Sequence, residues 1–208
     1  MPTDEKYTVR AVHCDHLAPD DAVYGALVRA TTPLTRAWDK LTRASRITVK
    51  FNQAWRPDEL VYLDGQLREL VDHKVARALL RLLRERTNAE IVCTEISTMG
   101  LRRAELRPED TITLMPELKE FDVPYVDGNE PPHKVYPVPG GGEMFRQYLL
   151  PESVGDADAF VSLQKLKNHK FMGVTLCLKN LFGLTPQEPH GRSRRYFHHI
   201  CRLPYVLV

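Results

Sequence analysis

Residues 46–51 read RITVKF, residues 89–95 read AEIVCTE, and a stretch with helical periodicity lies between them. Both segments are rich in β-branched residues, which predicts two buried strands. Residues 66–86 repeat apolar side chains on one helical face and carry charged side chains on the other, which predicts a helix. A strand–helix–strand unit normally connects parallel strands with a right-handed crossover. The sequence therefore predicts an α/β fold, with a mainly parallel sheet flanked by helices.

Shorter patterns extend this fold towards both ends of the chain. Further strands are predicted at residues 7–13, 124–127, 134–138 and 159–163. Further helices are predicted at residues 20–29, 35–43, 151–156 and 173–181. In the last of these helices, Val174, Cys177, Leu178 and Leu181 are spaced to pack inward. The final PYVLV reads as a core strand, so we expect a fragment of a longer domain or a sheet completed by a second chain.

The composition predicts one α/β domain over residues 1–208, because 43% of the residues are hydrophobic and 27% are charged. The start of the chain lacks a signal-peptide core, and no apolar run approaches the roughly 20 residues of a membrane span. Its four cysteines, at positions 14, 93, 177 and 201, form no C-x-x-C pair, which argues against a zinc ribbon or an iron–sulfur cluster. We therefore expect a cytoplasmic protein with reduced thiols and no membrane partner, and the sequence identifies no cofactor.

Positive charge is concentrated near the end of the chain. Residues 160–208 carry eight lysines and arginines against one acidic residue, whereas residues 1–159 carry 21 basic and 26 acidic side chains. This asymmetry indicates an anionic partner, although a solvated basic face would give the same count. Nucleic acid is the weaker choice of partner, because no recognised nucleic-acid-binding motif accompanies the charge.

The basic segment contains the strongest candidate for a functional site. Residues 163–183 read LQKLKNHKFMGVTLCLKNLFG, with Lys165, Lys167, His169 and Lys170 in one run and Lys179 and Asn180 after the next apolar stretch. Bringing these donors together without an acidic residue is costly unless an anion compensates them. They could bind a phosphate, carboxylate or acyl-phosphate group, assisted by the N-terminus of the helix predicted from Gly173. The alternative is a solvated basic loop.

Two of these residues are candidates for catalysis, and neighbouring segments could contribute to the same site. Lys179 could act as a base or nucleophile of lowered pKa, with His169 beside it. Glu95, Ser97 and Thr98 follow a predicted strand and should lie at the same edge of the sheet. His190 is a candidate neighbour of the site. His198, His199 and Cys201 are not predicted to bind a metal, since adjacent helical side chains point about 100° apart.

Residues 156–183, reading DADAFVSLQKLKNHKFMGVTLCLKNLFG and followed by Pro186 and His190, resemble the signature of domain-of-unknown-function family 362. That signature has an aspartate-rich lead, a hydrophobic strand, K-x-K-x-H, G-V-T and then K-N-x-F-G. Lys50 and Asn52 are similar to an upstream K-P-N element, with Phe51 in place of the proline. The resemblance implies that Lys50 and Asn52 belong to the ligand-binding site with Lys165, Lys167, Asn180 and His190.

The resemblance implies little about the reaction. Many members of the family are uncharacterised, and some carry a ferredoxin-like iron–sulfur module that links them with redox roles. This chain lacks the spaced cysteines of such a module, so that association is not carried over. Members usually continue beyond the position corresponding to Val208, which favours a fragment.

Three functional hypotheses follow. The leading one is a cytoplasmic enzyme that acts on a small anionic substrate, in redox metabolism. The second is a non-catalytic electron-transfer or ligand-binding accessory subunit, whose cofactor arrives on another domain or on a redox partner. The third and weakest is a nucleic-acid binder that uses the basic C-terminal segment.

Overall fold

The structure is a computed structural model that describes residues 9–96, 107–143, 145–169 and 173–186. Its helices are α1 (Asp20–Thr31), α2 (Thr35–Arg43), α3 (His73–Arg86), α4 (Pro108–Thr111), α5 (Met115–Glu120), α6 (Glu152–Gly155) and α7 (Cys177–Leu181). Its strands are β1 (Arg46–Phe51), β2 (Tyr62–Leu63), β3 (Gln66–Leu67), β4 (Glu90–Glu95), β5 (Tyr125–Asp127), β6 (His133–Pro137), β7 (Gln147–Pro151), β8 (Ala159–Leu163), β9 (Lys167–His169) and β10 (Gly173–Thr175).

A four-stranded parallel sheet forms the centre of the protein, in the order β5-β4-β1-β8. The chain runs from β1 outward to β4 and β5, and then returns to place β8 on the other side of β1. All three strand pairings are parallel, and helices flank the sheet, so the predicted α/β class is confirmed. The crossover from β1 to β4 through α3 is the predicted unit.

The core is built on strand β1 and helix α3. Ile47, Val49 and Phe51 alternate along β1 and are fully buried against the apolar face of α3. Leu80 and Leu83 of α3 are also fully buried in this cluster. The intervening positions of β1 are buried as well, so both faces of the strand are covered, as is usual for a parallel sheet.

Helix α3 begins seven residues later than the sequence predicts. Residues 66–67 pair with Tyr62–Leu63 in a short hairpin whose turn contains Asp64 and Gly65, both with positive φ. Two consecutive positive φ values are typical of the tight turns that match the twist of a hairpin. Asp72 then caps the helix, because its carboxylate accepts a hydrogen bond from the backbone N–H of Lys74 at 2.9 Å. The prediction of a helix from residue 66 was therefore wrong at its start.

The strand predicted at residues 7–13 is not present in its described part, residues 9–13. Val9 is 93% exposed, so the alternating pattern there has no sheet to pair with or core to cover. The final PYVLV segment lies outside the described residues. None of the helices in the described ranges combines the length and the apolar character that a bilayer crossing requires.

Truncation of a core leucine should destabilise the protein far more than truncation of a surface leucine. Leu80→Ala removes a fully buried side chain and should lower the free energy of unfolding by about 2–5 kcal/mol. Leu178→Ala is the matched control; its side chain is 83% exposed, so a change within about 0.5 kcal/mol is expected. Urea unfolding of both variants measures the difference, and similar losses in the two would contradict this assignment of the core.

Candidate functional site

A cavity of about 450 Å³ lies at the carboxyl ends of β1 and β4. Open parallel sheets commonly bind ligands at this edge, close to the strand from which the chain continues in opposite directions across the sheet. Here that strand is β1, with β4 on one side and β8 on the other. The polar side chains that line the cavity come from the sheet, from the segments that follow β1 and β3, from the β9–β10 hairpin and from α7. They are Lys50, Asn52, Glu69, Glu95, Lys167, Asn168, His169, Thr175, Lys179 and Asn180.

A buried ion pair forms the sheet side of the cavity. The Nζ atom of Lys50 lies 2.7 Å from Oε1 of Glu95, and the two side chains are 3% and 7% exposed. Lys50 also donates to Oδ1 of Asn180 at 2.9 Å, and Glu95 accepts from the backbone N–H of Ile96 at 2.9 Å. The amide of Asn180 in turn donates to the hydroxyl of Ser162 at 2.9 Å. Each charge is therefore paired and hydrogen-bonded, which is the condition for burying it.

Gly183 allows the chain after α7 to approach this ion pair closely. A Cβ atom at position 183 would lie 3.2 Å from Cε of Lys50 and 3.5 Å from Oε1 of Glu95. Asn180 and Gly183 thus press one turn of chain against the ends of β1 and β4. This contact places the K-N-x-F-G segment beside Lys50, which is distant from it in the sequence.

The β9–β10 hairpin provides a lysine and a histidine to the cavity. Its antiparallel register places Lys167 opposite Thr175 and His169 opposite Gly173. Because side chains alternate along a strand, Lys167 and His169 lie on one face of the hairpin, and Thr175 lies on that face as the cross-strand neighbour of Lys167. All three side chains line the cavity.

Burial lowers the pKa of both Lys167 and His169. The Lys167 side chain is 17% exposed, and its ammonium lies 5.4 Å from the centre of the Trp55 ring and 4.0 Å from a carboxylate oxygen of Glu69. Loss of hydration lowers the pKa of Lys167 more than Glu69 raises it. The pKa of His169 is lowered first by burial and then by the charges of Lys179 and Lys167. Cations from two separate segments therefore act on one another at this cavity.

The structure brings most of the predicted site residues together. Lys50, Asn52, Lys167, His169, Lys179 and Asn180 all line the cavity, and Glu95 lies at the predicted edge of the sheet. Lys165 does not line it, because this residue precedes β9 and is not held on the hairpin face. Lys170, His190, Ser97 and Thr98 lie outside the described residues.

Two sequence-based expectations about residues 173–181 were wrong. Gly173 has a φ of +72° and belongs to β10, so the helix begins at Cys177 and no helix N-terminus lies at Gly173. The apolar residues predicted to pack inward are instead exposed. They are Val174, Cys177, Leu178 and Leu181. Helix α7 buries Asn180, because hydrogen bonding to Lys50 fixes the orientation of this five-residue helix.

Sequence reasoning missed several contributors to the cavity and its support, among them Thr175, Trp55, Ser162, Glu69 and Asn168. Thr175 falls within the helix predicted at residues 173–181, although the G-x-T spacing after K-x-H suits a hairpin that pairs Thr175 with Lys167. Trp55 contacts Lys167 through its ring, and Ser162 pairs with Lys50 in the parallel register of β1 and β8. No local pattern marks either residue. Among the described residues, no three His, Cys, Asp or Glu side chains cluster as metal ligands would.

The parallel sheet and the lysine-lined cavity define an α/β protein with a concave site at the carboxyl ends of its strands. Residues 47–202 match the family model described as Domain of unknown function (DUF362), and the chain belongs to this family. The predicted resemblance is thereby confirmed over most of the chain. No curated protein and no solved structure matches it.

Removal of one partner of the buried ion pair should strongly destabilise the fold. Lys50→Met leaves the Glu95 carboxylate buried without its counter-charge, which should cost about 3–5 kcal/mol in the free energy of unfolding. The double variant Lys50→Met/Glu95→Leu removes both charges and should lose less stability than Lys50→Met alone.

Lys134→Met is the matched control, because Lys134 pairs with Asp156 at 3.2 Å on the surface, where an ion pair contributes about 1 kcal/mol or less. Denaturant unfolding of the four proteins measures these differences. A Lys50→Met variant as stable as Lys134→Met would show that the buried pair is not required.

Proposed function

We propose that the cavity binds a small anion and that the protein is an enzyme acting on it. The observation that carries this proposal is the convergence of Lys167, His169 and Lys179 on one partly desolvated cavity. Lys50 is already paired with Glu95, so a ligand would be held from the hairpin and α7, whose Lys167 and Lys179 line the cavity. This arrangement favours recognition of a carboxylate or phosphate group.

The lowered pKa values support this proposal. A pKa lowered by burial means that the positive charge has lost hydration that the protein has not fully replaced. An anion bound between Lys167 and Lys179 would restore that stabilisation through charge-assisted hydrogen bonds, each contributing about 1.5–3 kcal/mol. Because this loss of hydration is already present in the free protein, the new hydrogen bonds would contribute directly to the affinity for the ligand.

His169 and Lys179 are the proposed catalytic residues. A histidine whose pKa is lowered by burial and by neighbouring lysines favours its neutral form, which can accept a proton from a bound substrate. Lys179 lies close enough to lower that pKa electrostatically, so it would hold the anionic group beside the proton acceptor. Proton transfer to His169 from a substrate held by Lys167 and Lys179 is thus the proposed chemistry. Participation in redox metabolism and a cytoplasmic location remain predictions.

The other two functional hypotheses also remain predictions. An accessory subunit would use the same cavity without turnover, which binding measurements alone do not distinguish from an enzyme. Nucleic-acid binding was predicted through Lys170, Arg192, Arg194 and Arg195, and these residues lie outside the described part of the chain. Nucleic-acid binding does not account for the desolvation of Lys167 and His169.

The anion-binding proposal predicts that single charge-removing substitutions weaken binding. Lys167→Gln and Lys179→Gln should each reduce the affinity for inorganic phosphate or acetate by about 10–100-fold, since each removes one charge-assisted hydrogen bond. Lys165→Gln removes the same charge from a residue that does not line the cavity, so it should change little. Isothermal titration calorimetry measures the affinities. Equal losses in all three variants would point to a non-specific basic surface.

Anion binding should also strengthen as the pH falls. A bound anion raises the pKa of His169, which burial and the neighbouring lysines lower in the free protein, so binding is coupled to proton uptake. Affinity should therefore rise as the pH falls from the pKa of His169 in the complex to its lowered pKa in the free protein, and level off below it. Sulfate is a suitable probe, because it does not titrate in this range. His169→Gln should flatten the profile, and a rise in affinity with increasing pH would contradict the assignment.

A further inference from the structure

Six buried side-chain oxygen atoms have no hydrogen-bond partner among the described residues, and two of the six belong to residues that line the cavity. These two atoms are Oδ1 of Asn52 and Oγ1 of Thr175. Both residues line the cavity, and Thr175 is 5% exposed. Asn52 directly follows β1, whereas Thr175 ends β10, so the two atoms belong to the sheet side and the hairpin side of the same cavity.

Unpaired polar atoms of this kind are costly in a folded protein. A buried donor or acceptor without a partner costs about 1–3 kcal/mol, and native structures contain few of them. The other polar groups on the sheet side are fully engaged, since Lys50, Glu95 and Asn180 bond to one another and to the backbone. The two unpaired atoms therefore indicate which hydrogen bonds a ligand would complete.

The chemistry of each atom defines what it can bind. Thr175 is the cross-strand neighbour of Lys167, so its hydroxyl can donate to an anionic group held by that lysine. The amide oxygen of Asn52 can only accept, and it therefore requires a donor from the ligand. A ligand that satisfies both must present an anionic group to the hairpin and a hydroxyl or amino group to the sheet.

We infer that the ligand is a small organic anion bearing a hydroxyl or amino group, with Lys167 and Thr175 holding its anionic end and Asn52 accepting from its donor group. This inference rests on the proposed anion-binding function and makes it specific. A cavity of about 450 Å³ is within the usual range for small-molecule sites, roughly 300–1,000 Å³. Carboxylates and phosphate esters share the required chemistry.

Matched ligand pairs test the inference in the unmodified protein. One pair is glycerol 3-phosphate and n-propyl phosphate, and the other is glycerate and propionate. Within the pair that binds, the hydroxylated member should bind at least about tenfold more tightly, because the other leaves the Asn52 oxygen buried and unpaired. Isothermal titration calorimetry measures all four affinities, and the pair that binds identifies the anionic group as phosphate or carboxylate.

Three variants test which residues distinguish the hydroxylated ligand from the ligand that lacks the hydroxyl groups. Asn52→Leu should abolish the preference for the hydroxylated ligand, so that both members of the pair bind with the same affinity. Thr175→Val should weaken both members of the pair by a similar factor, because the hydroxyl contacts the group they share. Ser153→Ala is the matched control; its Oγ atom is also buried without a described partner but does not line the cavity, so both affinities should be unchanged.

The possible failures are distinguishable. If the unmodified protein binds both members of a pair equally, the inference is wrong and the anion-binding proposal stands. If no member of either pair binds but inorganic phosphate or acetate does, the inference is wrong and the anion-binding proposal stands; if none of these anions binds, both are wrong. A preference that persists in Asn52→Leu, or disappears in Ser153→Ala, would overturn the assignment to Asn52. Comparison of the four ligands in the unmodified protein decides the main point even if a variant fails to fold.

Discussion

The structure depends on an ion pair buried between the carboxyl ends of two adjacent parallel strands. Lys50 and Glu95 are almost fully enclosed, and neither could be buried alone without a large desolvation penalty. Asn180 completes the hydrogen bonding of Lys50 and ties it to Ser162 of β8. These contacts fix α7 against the sheet, and β10 lies immediately before α7 in the chain. One polar network therefore positions the segment that forms the opposite wall of the cavity.

The fold was predictable wherever local pattern and tertiary packing agree. Strand β1 and helix α2 have the predicted bounds. In each of them the spacing of apolar residues agrees with the side of the element that packs against the rest of the protein. The start of α3 was not predictable from periodicity, since Leu67 is buried in the hairpin as it would have been in a helix. The spacing of apolar residues indicates which side chains are buried, but not whether they lie in a strand or a helix. The turn at Asp64 and Gly65, both with positive φ, excludes a helix at that point and so delays the start of α3.

The candidate site was predictable in its residues but not in its organisation. The K-x-K-x-H and K-N-x-F-G segments identified Lys167, His169, Lys179 and Asn180 correctly as neighbours. The position of α7 depends on the hydrogen bond between Lys50 and Asn180, which are 130 positions apart in the sequence. Without that contact, α7 reads as an ordinary amphipathic helix with Leu178 turned inward. The observed orientation follows from a hydrogen bond that no local pattern encodes, and it leaves Leu178 facing solvent.

The two walls of the cavity differ in how freely their side chains can be exchanged. On the sheet side, Lys50, Glu95 and Gly183 constrain one another sterically and electrostatically, so a change at one position requires a change at another. The hairpin side is a two-stranded ribbon in which Lys167 and Thr175 meet side by side without entering the hydrophobic core. Substitutions on the ribbon would therefore change the lining of the cavity while the sheet continues to hold the protein together.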